Sequence, residues 1–142
     1  MNANDLIMIA DRLSEDLTSP GVLEEFLGAA RPVEDDRELL SVVAAVIRLR
    51  TIADHVLVRA AAAVDRVGLP ARKRVRTVAN LLIEMGMVPA SAHRTARLAG
   101  ALESVPQVAR GMRDGAVPAE LGDAVVRGLA HVTARVELSD DE

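Results

Sequence analysis

The sequence predicts an all-α protein: a helical bundle with one long central helix and a helix-turn-helix-like pair. Three observations carry this. Phe26 is the only aromatic residue among 142, and the alternating β-branched and aromatic runs that signal strands are missing. The apolar half of the chain is Leu, Val, Ala, Ile and Met, in which Ala and Leu are good helix formers. Apolar residues also recur at helical spacing, most persistently from Leu39 to Val67. A chain of this size buries roughly two-thirds of its unfolded surface, enough for one domain over residues 1–132. Its parts are acidic N-terminal helices (1–36), the long helix (37–67) and a short-helix bundle (77–131), with an acidic tail over 133–142.

Asn4 or Asp5 is suited to cap a first amphipathic helix that presents Leu6, Ile9, Leu13 and Leu17 on one face. A short helix is expected in PGVLEEFLGAA (20–30), with Pro20 in its first turn and Glu24 and Glu25 at its positive end. The polar run ARPVEDDR then breaks the chain. From Leu39 the apolar residues Val43, Val46, Ala53, Leu57, Ala60, Val64 and Val67 keep strict four-three spacing, interrupted only by Arg50. Val42, Leu49, Val56 and Ala63 widen this stripe, which describes about eight helical turns with a broad buried face. The same spacing fits burial within the chain, a helical hairpin or a two-helix coiled coil. Arg50 is expected to reach the rim or to meet an acid from another helix or chain.

Gly68 ends that helix, and LPARKRVR follows as a basic connection. Thr77 is suited to cap VANLLIEM, with Val78, Leu81, Leu82 and Met85 facing inward. Gly-x-Val-Pro then occurs twice, at Gly86–Pro89 and Gly115–Pro118, and Val105-Pro106 opens a helix between them. Glycine is the natural left-handed stop of one helix, and proline fits the first position of the next. The repeat is therefore punctuation. Val88 and Val117 at the cap positions lack an accepting side-chain oxygen, which forgoes about 1 kcal/mol at each.

Nothing supports catalysis. The chain has no cysteine, which excludes disulfides, thiolate metal sites and a thiol nucleophile. His55, His93 and His131 fall on three separate predicted helices without metal-ligand spacing. The glycines are dispersed rather than gathered into a phosphate-cradling loop, and the acidic runs Asp35-Asp36 and Asp140-Asp141-Glu142 read as solvated charge. No cofactor, metal or small-molecule ligand is expected. The N-terminus has no signal-peptide pattern. The long apolar region is interrupted by Arg48, Arg50, Asp54, Arg59 and Asp65, so no uncharged run of about 18 residues spans a membrane there. A cytoplasmic protein without membrane contact is expected.

The net charge of −4 hides segregation. Residues 1–45 carry ten acids and three bases, residues 46–113 four acids and twelve bases, and residues 114–142 seven acids and two bases. Such a basic middle suits a polyanion, or else it is matched internally by the acidic ends. VANLLIEM, the turn at Gly86 and PASAHRTARLAGAL have helix-turn-helix proportions. With Ala92, Ala96, Ala99 and Leu102 buried, Ser91, Arg94 and Arg97 face outward and His93 lies at the edge. Arginines there suit phosphate or guanine contacts, and Arg72, Lys73, Arg74 and Arg76 are placed to clamp phosphates. Leu82 stands where such motifs often carry a small residue for close helix crossing.

Residues 77–132, from TVANLLIEMGMVPASAHRTARLAG onward, resemble the core of the 13E12 repeat family, a bacterial domain of formally unknown function. Thr77, Leu81 and Gly86 match its first elements. Ala92, Arg94, Arg97, Leu98 and Leu102 match its Ala/Arg-rich helix, and Pro106, Gly115 and Val125 match the remainder. The long helix fits the family's N-terminal region, so the resemblance covers about residues 37–132. It implies a DNA-directed role, since family members often carry a C-terminal HNH nuclease domain and are linked to mobile elements. The chain ends before any such metal centre, as a fragment or a nuclease-free relative would, and Val88 and Val117 replace the family's Ser or Thr caps. The resemblance transfers no catalytic residue. Two functions follow from the sequence. One is a DNA-binding module using Arg72, Lys73, Arg74, Arg76, Ser91, Arg94 and Arg97. The alternative is a homodimerisation or protein-docking module using the Leu39–Val67 helix.

Overall fold

The computed structural model describes residues 2–18 and 36–140, and every regular element among them is an α-helix. These are α1 (Ala3–Thr18), α2 (Asp36–Arg66), α3 (Leu69–Arg72), α4 (Val78–Glu84), α5 (Pro89–Ala101), α6 (Pro106–Arg113) and α7 (Ala119–Asp140). The expected short helix over 20–30, Asp35, and the terminal Asp141 and Glu142 lie outside the described residues. The chain divides inside α2 into two compact units, Met1–Ala44 and Ala45–Glu142, where the sequence suggested one domain. No helix among the described residues is long and apolar enough to cross a membrane.

In the first unit, α1 begins earlier than its sequence suggests. Asn2 is the cap: its Oδ1 accepts from the Asp5 amide at 3.1 Å, while the Asp5 carboxylate accepts from the Asn2 amide at 2.6 Å. Two otherwise orphaned donors are thereby satisfied reciprocally. The apolar face of α1, with Leu6, Ile9 and Leu13, is exposed.

The second unit holds the core. Val58 of α2, Leu98 of α5, Leu102, Val108 and Met112 of α6, and Ala119 of α7 form one buried cluster. Half-buried Ala99, Val105, Ala109, Val117 and Val126 pack around it. Val78 and Ala79 of α4 are buried, whereas Met85, expected inward, is exposed at the end of that helix. On α5 the buried side chains are Ala92, Thr95 and Leu98, and the expected Ala96 and Ala99 are only half-buried.

The largest correction concerns α2. Its buried face is Thr51, Val58 and Ala61, flanked by Asp54, His55 and Ala62. This face is displaced by one residue, about 100° of rotation, from the expected Ala53–Leu57–Ala60–Val64 stripe. Val43, Val46, Ala53, Ala60 and Val67 of that stripe are exposed, as are Leu39, Leu49, Val56 and Ala63, while Val42, Leu57 and Val64 are half-buried. Two features make the rotated face buriable. Thr51 bonds its hydroxyl back to the Ile47 carbonyl at 3.0 Å, so its polar atom is satisfied without a partner helix. Ala61 is buried at 2% exposure and Ala62 is half-buried beside it.

The punctuation works as the sequence indicates. Three helices end on a glycine in the left-handed region: Gly68 (φ 66°), Gly86 (φ 99°) and Gly115 (φ 76°). At Gly86 and Gly115 the closing bonds form a Schellman pair. Met87 N–H donates to Leu82 and Gly86 N–H to Ile83; Ala116 N–H donates to Gly111 and Gly115 N–H to Met112. Thr77 caps α4 by accepting from the Asn80 amide at 3.1 Å, and Val88 and Val105 make no side-chain cap bond before Pro89 and Pro106. Pro118 differs by one position. It precedes α7, and its carbonyl accepts from Gly122 N–H at 3.0 Å. Helix α7 then continues through residues 133–140, where the sequence suggested only an acidic tail.

The one-residue rotation of α2 is checked by paired truncations. Val58→Ala is expected to cost about 2 kcal/mol through lost burial and a cavity, and Val46→Ala less than about 0.5 kcal/mol. Chemical unfolding at low protein concentration reads both. The reverse order would put the expected stripe back in the core.

Candidate nucleic-acid interface

Three arginines of the basic middle, Arg50, Arg94 and Arg97, are met by acids of α7, whereas Arg66 and Arg113 pair with Glu103 and Asp114. Asp123 of α7 is 4% exposed. Its carboxylate accepts both Nε (2.8 Å) and Nη2 (2.9 Å) of Arg97 on α5, and Arg127 approaches from the next turn of α7 at 3.4 Å. The Arg97 hydrogen bonds are the main cause holding the Asp123 carboxyl below the usual carboxylate range; burial opposes them, and the charges of Arg97, Arg127 and Arg94 assist. One turn earlier, Glu120 accepts from Arg94 of α5 at 3.0 Å and from Arg50 of α2 at 3.1 Å. Arg50 also lies 3.9 Å from Asp54, whose carboxyl is pushed up, chiefly by burial against the pull of Arg50. Arg50 has therefore found its acid on another helix.

These contacts engage two of the expected DNA-binding residues. Arg94 and Arg97 tie α5 to α7, 26 positions away in sequence. Arg94 is half-buried over Glu120, while Arg97 keeps 45% of its side chain exposed. Ser91 is half-buried rather than outward. The outward face of α5 is instead Ala90, His93, Arg97 and Gly100.

The cations from Arg72, at the end of α3, to Arg76 receive no acid from α7 among the described residues. Arg72 donates to the Val67 carbonyl at 3.2 Å, which closes the C-terminal end of α2. Lys73, Arg74 and Arg76 are exposed and have no ion-pair or hydrogen-bonded side-chain partner among the described residues. Arg74 has φ +60°, the only non-glycine residue with positive φ among the described residues. It occupies the left-handed stop of α3: Val75 N–H donates to Pro70 (2.9 Å) and Arg74 N–H to Ala71 (3.0 Å), the bonding pattern used at Gly86 and Gly115. A side chain there costs about 1 kcal/mol that glycine avoids.

Arg76 leads into a shallow concavity of about 480 Å³ lined by Thr77, Ala79, Asn80, His93, Ala96 and Arg97. It joins the start of α4 to the outward face of α5, and α4 and α5 are joined by the tight Met85–Val88 turn. The lining offers guanidinium, amide and imidazole donors above a floor of small side chains. That composition suits an oxyanion or a nucleic-acid backbone.

The histidines do not converge. His93 and His131 are exposed, whereas His55 is half-buried on α2 with Nδ1 lacking a hydrogen-bond partner. Its pKa is lowered mainly by burial, then by Arg59 and Arg113. No group of three or more metal-capable side chains occurs among the described residues. Comparison with protein-family models, with curated proteins and with solved structures gives no match.

The Arg97–Asp123 pair has an acid signature. A carboxyl whose folded pKa lies below its unfolded value, near 3.9, stabilises the fold above that value, and the benefit is lost as pH falls through the folded pKa. Arg97→Ala is expected to cost about 2 kcal/mol at neutral pH, because Asp123 stays buried with only Arg127 beside it. The deficit should shrink below about pH 4 as the carboxyl protonates. Urea unfolding across pH 2–7 measures it; a deficit independent of pH would place the loss in packing rather than charge.

Proposed function

We propose that the chain is a non-catalytic, cytoplasmic DNA-binding module whose contact surface is the Arg72–Arg76 segment together with the concavity between α4 and α5. Arg74 carries the reading. Three other helices in the chain end on glycine, yet the residue placed at this strained stop is a cation with no partner among the described residues. Strain retained at an exposed, charged position points to a role outside the fold. Arg72, Lys73, Arg74 and Arg76 contact phosphates in this reading, and His93 and the free face of Arg97 flank the groove. Arg94 and Ser91 drop to a supporting role. The resemblance to the 13E12 repeat family points the same way, toward a helical part that directs a nuclease.

The open stripe of α2 favours a second reading, a homodimerisation or docking module acting through the Leu39–Val67 helix. Val46, Leu49, Val56 and Val67 are exposed there, and a contiguous apolar face of this kind marks interaction surfaces. The two readings are compatible, because helical DNA-binding proteins often pair as two-fold dimers.

A salt titration of binding to a random duplex, starting near 50 mM, tests the first reading. Affinity is expected to fall steeply with salt, and Lys73→Ala with Arg76→Ala to lower the log–log slope by about 2. Arg74→Gly separates function from fold: it should raise stability by about 1 kcal/mol while weakening binding. Absence of binding at low salt, or binding indifferent to all three changes, removes the DNA reading and leaves the second.

A further inference from the structure

Helix α7 carries an apolar stripe that the core does not use. Its inward face is Ala119, Gly122, Asp123 and Val126. On a separate face Leu121, Val125, Leu129, Val132 and Val136 are all exposed, from 39% at Val125 to 58% at Val132. Leu121, Val125, Gly128 and Val132 follow four-three-four spacing, the seam pattern of paired helices, with Leu129 and Val136 alongside.

Gly128 is the telling residue. Glycine inside a helix is destabilising, so its presence asks for a reason in packing. Gly122 has one: a Cβ there would press within 3.0 Å of Val108 and 3.4 Å of Met112. Gly128 has none among the described residues, where a Cβ at that position would meet nothing within 4 Å. Its backbone is bare at the middle of the open stripe.

We infer that α7 pairs antiparallel with α7 of a second copy of this chain, crossing closest at Gly128. The stripe is self-complementary only in that orientation. With Gly128 of one copy against Leu129 of the other, Val125 faces Val132 and Leu121 faces Val136, so every large side chain meets an apolar partner across a two-fold axis. The bare Gly128 backbone receives Leu129 from each side. The register also brings Arg135, exposed and without an ion-pair partner among the described residues, toward the first turn of the partner helix, where the Glu120 carboxylate is exposed. A parallel pairing would instead stack Arg135 on Arg135 and glycine on glycine. The seam is one helix wide and about 24 Å long, small beside the roughly 1,200–2,000 Å² of stable interfaces. Association in the micromolar range is therefore expected. The inference is independent of DNA binding and uses a surface other than the α2 stripe.

The cysteine-free chain permits a direct test with the full-length protein. Val125→Cys mixed with Val132→Cys, under mild oxidation at about 100 µM, is expected to give at least ten times more disulfide dimer than either variant alone. Gly128→Leu is expected to keep the helical content and raise the melting temperature measured at low concentration, because the site is open and Leu is the better helix former. The same change should weaken dimerisation at least tenfold in sedimentation velocity. Self-linking of Val125→Cys in preference to the mixture would mean parallel pairing and overturn the proposal. So would a monomer at all concentrations, or a dimer that survives Gly128→Leu and gives no α7 cross-link, which would assign self-association to another surface. None of these readouts involves nucleic acid, so their failure leaves the DNA reading standing.

Discussion

The carboxylate of Asp123 organises the second unit. It is buried among helices, and a buried charge left unpaired costs several kcal/mol. Two guanidiniums meet it, Arg97 from α5 in a two-pronged contact and Arg127 from its own helix. That requirement sets the rotation of α5 about its axis and its register along α7. Once Arg97 is turned toward α7, Arg94 one turn back lands on Glu120, and Leu98 is directed into the core beside Met112 and Val58. Glu120 also receives Arg50, so the same acidic edge draws α2 toward the start of α7. The core is poor in large side chains and has no aromatic among its members. Directional charge pairs supply specificity that Leu and Ala packing alone leaves weak.

The segregated charge of the sequence takes on a physical meaning from this arrangement. The two interpretations of the basic middle, internal matching and an external polyanion, apply to different arginines. Glu120 and Asp123 match Arg50, Arg94, Arg97 and Arg127 internally, and exposed Glu103 lies 3.6 Å from Arg66. Lys73, Arg74 and Arg76 lie beyond reach of those acids. Three unpaired cations thereby fall within one short connection, while Arg48, Arg59 and Arg110 are also exposed without an ion pair among the described residues. A chain that is acidic overall can in this way present a locally cationic edge.

Much of the fold was legible in the sequence because its signals are local. A glycine stop followed by a proline start acts within five residues, and Thr77 reaches its amide donor three positions away. The site was less legible. That Arg94 and Arg97 would be taken up by α7 depends on contacts 26 positions apart, and periodicity does not report them. The acids at Glu120 and Asp123, spaced like Arg94 and Arg97 at three residues, were the one available signal. Arg74 in a glycine conformation was invisible for a different reason: nothing in RKRVR distinguishes the residue at the helix stop from its neighbours. The rotation of α2 failed through ambiguity. Over residues 52–64 that helix is apolar on several sides, so a tidy four-three series and the buried face need not coincide. Thr51 on the buried side looked polar until its hydroxyl found the Ile47 carbonyl.

The displaced stripe explains why a small core suffices. A helix as long as α2 has more apolar surface than one bundle of short helices can cover, since α4, α5 and α6 are 7, 13 and 8 residues long. The bundle covers the face that carries Thr51, Val58 and Ala61. The bulkier Val46, Leu49 and Val56 are then left outside. On α7 the inner face carries Gly122 against Val108 and Met112, while Leu121, Val125 and Val132 are exposed. Exposed apolar area of this extent is costly to hydrate. On both helices that area lies open, at Val46, Leu49 and Val56 of α2 and at Leu121, Val125 and Val132 of α7.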